Sequence, residues 1–121
     1  MRLITSEQER RLLTNGRWHR ARIALGQKTT DLRPVVRLFY PWSGAYWLLS
    51  ELDPDDPDSA FGLHNPATGL PEIGCVRLSD LQMVVVPSGL RIERDSYFRA
   101  VKTLQGYFTD ARHRKDVVAS A

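Results

Sequence analysis

Apolar and polar positions alternate along this chain with different periods in different stretches, and the period decides each predicted element. Leu12 and Leu13, set among Glu7, Glu9, Arg10 and Arg11, give the first stretch one apolar side and predict a helix over Ser6–Asn15. Thr5 can cap it, Gln8 three residues on completes a capping box, and Gly16 supplies a left-handed stop. Residues Arg17–Asp31 mix Trp18, Ile23 and Leu25 with arginines and Gly26, which predicts a connector with some extended structure. Val35–Tyr40 is β-branched and aromatic and reads as a strand, with Pro34 at its start where a missing N–H is tolerated.

Pro41-Trp42-Ser43-Gly44 is a turn, and Ala45–Leu52 returns as the second strand of a hairpin. That second strand is apolar on both parities, so it belongs in the middle of a sheet covered on both faces. Two prolines and four aspartates exclude Asp53–Ser59 from a strand; Ala60–His64 and Glu72–Leu78 are the next two. Ser79, with Gln82 at the box position, caps a short helix, Pro87-Ser88-Gly89 turns, and Leu90–Glu93 forms a last strand. Val101, Leu104 and Phe108 share one side of a final helix over Val101–Arg112, leaving Arg112–Ala121 as a flexible tail. The expected fold is α+β: a mainly antiparallel sheet of four or five strands with the helices packed on one face, in a single domain over residues 1–121.

Several stretches of this pattern resemble the signature of a small bacterial family catalogued as domain of unknown function 2958. They are Trp47–Leu63, Leu70–Gly74, Leu78–Leu81 and Ile92–Asp95, with Thr5, Asn15-Gly16 and Pro34-Val35-Val36 ahead of them. The resemblance covers about Leu3 to Phe108. It implies a short cytoplasmic protein of the kind carried on plasmids, integrative elements and phages, sometimes beside antirestriction proteins, and it carries no catalytic residues with it.

Charge changes the picture more than bulk composition does. The net charge is +3, but residues 1–40 hold nine Arg/Lys against three acids and residues 41–80 hold Arg77 alone against seven. Such a split either creates a basic and an acidic face or is cancelled where the basic ends pack beside the acidic middle. Glu51, Asp53, Asp55, Asp56 and Asp58, beside Trp42 at the hairpin tip, form the candidate surface for a protein partner. Arg10, Arg11, Arg17, Arg20, Arg22 and Lys28, helped by Arg112, Arg114 and Lys115, form the alternative, a nucleic-acid surface on which Trp18 and His19 could stack bases.

Enzyme chemistry finds little purchase. Counted from Asp53, the sixth and twelfth positions of an EF-hand loop hold Asp58 and His64 instead of Gly and Glu, so no calcium loop is expected. His19, His64 and His113 are far apart and Cys75 is the sole cysteine, so no zinc set, other metal site or cofactor is expected, and no disulfide. Cys75 reads as a small buried hydrophobe. Glu93-Arg94-Asp95 reads as a local ion-pair network, and a hydrolase would have to gather carboxylates such as Glu51, Glu72 and Glu93. No apolar run suits a signal peptide or a membrane span, which points to a cytoplasmic protein. The function expected is that of a non-enzymatic accessory protein of a mobile genetic element, acting through protein contact in an anti-defence role, with nucleic-acid binding as the alternative.

Overall fold

The computed structural model describes residues 3–28 and 31–120, with side chains as far as Arg114. The first helix, α1, runs Ser6–Ala24 and opens on the expected capping box: the Gln8 N–H donates to Thr5 Oγ1 at 3.1 Å and the Thr5 N–H to Gln8 Oε1 at 2.9 Å. It does not stop at Gly16. Gly16 is buried mid-helix, the helix continues through the stretch expected to be a connector, and the left-handed glycine beyond its end is Gly26, with φ 72°. Gly16 serves contact instead, because the carbonyl of Leu52 lies where a side chain would begin.

Five antiparallel strands follow: β1 (Val36–Phe39), β2 (Tyr46–Asp53), β3 (Asp56–Asn65), β4 (Glu72–Arg77) and β5 (Glu93–Arg94), in the order β4-β3-β2-β1-β5. β1 and β2 form the expected hairpin around Pro41–Gly44, with Leu38 opposite Trp47. β3 begins at Asp56, inside the segment excluded on composition. Asp53 pairs with Asp56 across the Pro54-Asp55 turn, and the register shifts between Leu52 and Asp53. Pro57 is tolerated because β4 does not pair with β3 before Ser59, so the missing N–H falls where the strand has no neighbour on that side. The last strand is shorter and later than expected: Val85 and Arg91 make only an isolated bridge around the Gly89 turn, and β5 proper pairs Glu93 with Phe39.

β2 is indeed central and covered on both sides. Trp47 and Leu49 join Leu12 of α1, Val36, Leu38 and Ile92 in one buried cluster, together with Leu78 and Leu81 of the short helix α2 (Leu78–Gln82). Leu48 and Leu63 join Leu104 of the last helix, α3 (Leu104–Ser120), in a second. Neighbouring residues on a strand point to opposite faces, so the helices divide between the two faces instead of sharing one. α3 also starts later and runs further than the sequence pattern suggested: Val101 lies outside it and is exposed, while Leu104 and Ala111 are buried and the backbone stays helical to Ser120. No helix among the described residues is long and apolar enough to cross a membrane.

β1 pairs with β2 only as far as Leu49, whose carbonyl accepts from the Val35 N–H at 2.8 Å. Beyond it α1 packs against β2 and supplies a donor to one carbonyl. Asn15 Nδ2 donates to the Ser50 carbonyl at 2.9 Å, and Gly16 backs onto that of Leu52. A helix thus covers the part of β2 that a four-residue strand leaves unpaired, and Asn15 supplies the donor that the buried Ser50 peptide group requires.

Candidate functional site

The acidic hairpin is tied into the fold. Arg20 reaches from α1 to Asp53 at 2.8 Å and Asp55 at 2.6 Å, and Arg77 at the end of β4 holds Asp56 at 2.9 Å and Asp58 at 3.1 Å. Asp58 also caps α2, accepting from the Ser79 N–H at 2.9 Å and from Ser79 Oγ at 2.6 Å. The capping relation is therefore the reverse of the expected one: Ser79 lies inside the helix as a donor, and α2 has no side-chain cap of its own. These hydrogen bonds, with Arg77 beside them, hold the Asp58 carboxyl below its ordinary value. Glu51 is bound by His19 of α1, whose Nδ1 lies 2.8 Å from one carboxylate oxygen and 3.0 Å from the other. Every acid of the segment has an intramolecular partner, but Arg20 is shared by Asp53 and Asp55 and Arg77 by Asp56 and Asp58, so the charge split along the chain is cancelled there only in part.

Trp42 does not lie beside the acidic turn, because the two turns stand at opposite ends of β2; it folds back over its own hairpin. It stacks on Tyr40 at 4.6 Å, Tyr40 meets the edge of Trp47 at 5.0 Å, and Trp47 lies flat on His64 at 4.5 Å. The indole remains 37% exposed. Burial pushes His64 below its ordinary value, with the nearby Glu72 charge opposing.

The basic residues of α1 divide by helix face. With 3.6 residues per turn, Leu12, Gly16 and His19 turn inward, and Arg10, Arg11, Arg17 and Trp18 lie on the outer side. Arg20 is committed to the hairpin. Arg22 donates from Nε to the Lys28 carbonyl at 3.0 Å, and its guanidinium carbon lies 4.9 Å from the centre of the Trp18 ring. Arg10, Arg11 and Arg17 are exposed and form no ion pair among the described residues. Arg33 joins them. It faces Arg10 and Arg11 across an open cleft of about 500 Å³ with Glu7, Thr14 and Asn15 on its wall and Leu32 and Val35 as its apolar lining. Sequence reading missed Arg33 because it stands 22 residues beyond Arg11, past a segment that had no assigned path. Arg112 and Arg114 belong to α3, in the other layer, and the Lys115 side chain lies outside the described residues.

On the far side of Leu32 is a cavity of about 280 Å³ lined by His19, Glu51, Ser50, Phe61 and Leu104. His19 Nε2 is buried there with no hydrogen-bond partner among the described residues, and the Ser50 hydroxyl is spent on the Phe61 carbonyl at 3.3 Å. The His19–Glu51 pair is a fastening between α1 and β2, with no nucleophile aligned on it among the described residues. Glu51, Glu72 and Glu93 do not converge: β4 and β5 are opposite outer strands, about 19 Å apart at the usual strand spacing. Among the described residues no group of three His, Cys, Asp or Glu side chains could hold a metal. Cys75 is exposed on the outer strand β4, contrary to the buried position expected of it, because no further strand or helix covers that stretch. Asp95 pairs with Arg37 at 3.4 Å and Arg94 donates to the Leu3 carbonyl at 3.1 Å, so these two residues fasten distant segments of the chain instead of forming the local network expected within Glu93-Arg94-Asp95.

A family model described as protein of unknown function (DUF2958) matches residues 3–118. No curated protein and no solved structure matches the chain.

Proposed function

We propose that this chain, which belongs to the DUF2958 family, is a non-enzymatic accessory protein that binds nucleic acid through the outer face of α1. One observation carries the reading. The acids of the hairpin each have an intramolecular partner, whereas Arg10, Arg11, Arg17 and Arg33 stand exposed and, among the described residues, without ion pairs around one helix face. Four guanidinium groups on one face attract phosphates, and the counterions that those phosphates release supply the affinity.

The test is fluorescence anisotropy with labelled oligonucleotides across a salt series. Four phosphate contacts predict a log–log slope of about −3, equivalent to a loss of about 50-fold between 50 and 200 mM salt. Charge reversal of Arg10, Arg11 and Arg17 to Glu should flatten that slope while leaving the melting temperature in place, since none of the three forms an ion pair among the described residues. Absence of binding to any oligonucleotide by the wild-type chain overturns the reading.

A second reading, contact with a protein partner in an anti-defence role on a mobile element, is favoured by Trp42. Its ring is held in place by Tyr40 yet stays partly exposed, the state of a preorganised hot spot. Asp55, 80% exposed and held only by Arg20 among the ion pairs, is the hairpin acid most available to such a partner. Nuclease-resistant capture of a partner by the wild-type chain, lost in both Trp42→Ala and Asp55→Lys, would favour it. Capture unaffected by both would remove it.

A further inference from the structure

We infer that the ligand of the α1 face is single-stranded nucleic acid, with one base stacked on Trp18 and the neighbouring phosphates held by Arg10, Arg11 and Arg33. This rests on the nucleic-acid reading above and adds the strand state and the residue that selects it.

The argument starts from the placement of Trp18. A tryptophan on the solvent side of a helix is at odds with its apolar surface, and Trp18 is 42% exposed there. The Arg22 guanidinium lies against its ring. A cation over the ring orients the indole and leaves the remainder free for a second planar group. Thr14 and Ala21, its neighbours at i−4 and i+3, are both small, so no long side chain from those positions fences the ring. Trp18 follows Arg11 by seven residues and Thr14 by four, which places it about 6 Å along the helix from the wall of the arginine cleft. Long helical side chains lean toward the N-terminus, so a base on Trp18 comes close to the cleft that holds its phosphate.

Duplex cannot use this arrangement. Its bases are stacked on one another, and an indole on a helix surface reaches a base face only when the base is unstacked. The cleft has the character to match, with three guanidinium groups for phosphates against the single carboxylate of Glu7, and Leu32 and Val35 for the apolar faces of sugar or base. Stacking on an aromatic ring is tolerant of sequence, so little base preference is expected.

The experiment compares an oligothymidylate and a mixed-sequence single strand of about a dozen nucleotides with the duplex of that mixed sequence, by anisotropy at fixed salt. The wild-type chain should bind both single strands at least about tenfold more tightly than duplex. Trp18→Ala should weaken single-strand binding by about 5- to 150-fold, the equivalent of one lost base stack, and leave duplex binding within about twofold. Trp18→Phe should recover part of the loss, and thermal melting shows that each variant is folded. Duplex bound as tightly as single strand, or Trp18→Ala weakening both forms equally, overturns this inference while leaving the phosphate-binding face intact. No binding to either form overturns both.

Discussion

Gly16→Ala separates two roles that a helical glycine can have, and the structure fixes the expected cost. In an exposed helix interior this change stabilises by about 1 kcal/mol, because alanine is the better helix former. At Gly16 the new Cβ would lie 1.9 Å from the Leu52 carbonyl oxygen, 3.1 Å from its carbon and 3.3 Å from Pro54 Cδ. Carbon and oxygen tolerate about 3.3 Å, so helix and strand must separate by roughly 1.4 Å. Retreat is opposed on both sides: Asn15 holds Ser50 at 2.9 Å one residue earlier, and His19 holds Glu51 at 2.8 Å one turn later. Two such hydrogen bonds lost at about 1 kcal/mol each, plus overpacking of about 1–3 kcal/mol, less the propensity gain, leaves about 2–4 kcal/mol of destabilisation. For 121 residues that lowers Tm by about 8–16 °C. Circular dichroism melts with urea titration at 25 °C measure both quantities. A Tm that is unchanged or raised would refute the close approach and with it the account of α1 as the element that covers β2.

The remaining predictions concern titration and the hairpin. The Asp58 carboxyl is held low chiefly by Ser79, so its contribution to stability is fully present above the ordinary aspartate value of about 3.9 and is lost as pH falls through the lower folded value. The gap in urea midpoint between wild type and Asp58→Asn should therefore be open at pH 7 and closed near pH 2; an equal gap at both would count against the cap. His64 is lowered by burial, so the unfolded chain takes up its proton first and stability falls as pH drops through about 6.5. His64→Phe, which keeps a ring against Trp47, should flatten the stability profile between about pH 7 and 5, and an unchanged slope would show that another group titrates there. Asp58→Lys should lower Tm by several degrees through loss of the α2 cap, whereas Asp55→Lys, at the exposed turn, should move it by about 1 °C or less. Equal effects would refute the division of labour within the hairpin.

Much of the architecture was legible in residues a few places apart. The Thr5–Gln8 capping box, the Pro41–Gly44 hairpin and the double-sided apolarity of Trp47, Leu48 and Leu49 are local signals, and each names an element that is there. Their physics is local too: a side chain answering an orphan N–H, a turn accepting restricted φ, a strand with no polar face to show water. The family resemblance drew on the same stretches and agrees with the match over residues 3–118.

Where sequence reading failed, the deciding contact came from a distant residue. A glycine after an amphipathic stretch serves a left-handed stop or a close approach equally well, and only the Leu52 carbonyl, 36 residues on, selects the second role for Gly16. Proline and aspartate argue against a strand in isolation, but Pro57 stands where β4 has not yet begun to pair, and Asp56 and Asp58 share an ion pair with Arg77. The candidate site followed the same rule. Sequence identified the acids and the bases, but free charge on a surface is what remains after ion pairing. That remainder depends on which side of α1 meets the sheet. Helix periodicity, the half of the problem that sequence contains, places Arg10, Arg11 and Arg17 on one face. Tertiary structure decided that Arg20 is spent on Asp53 and Asp55, that Arg33 returns to the same cleft, and that Trp18 stands outside the core, because Coulomb pairing and burial act through space and not along the chain.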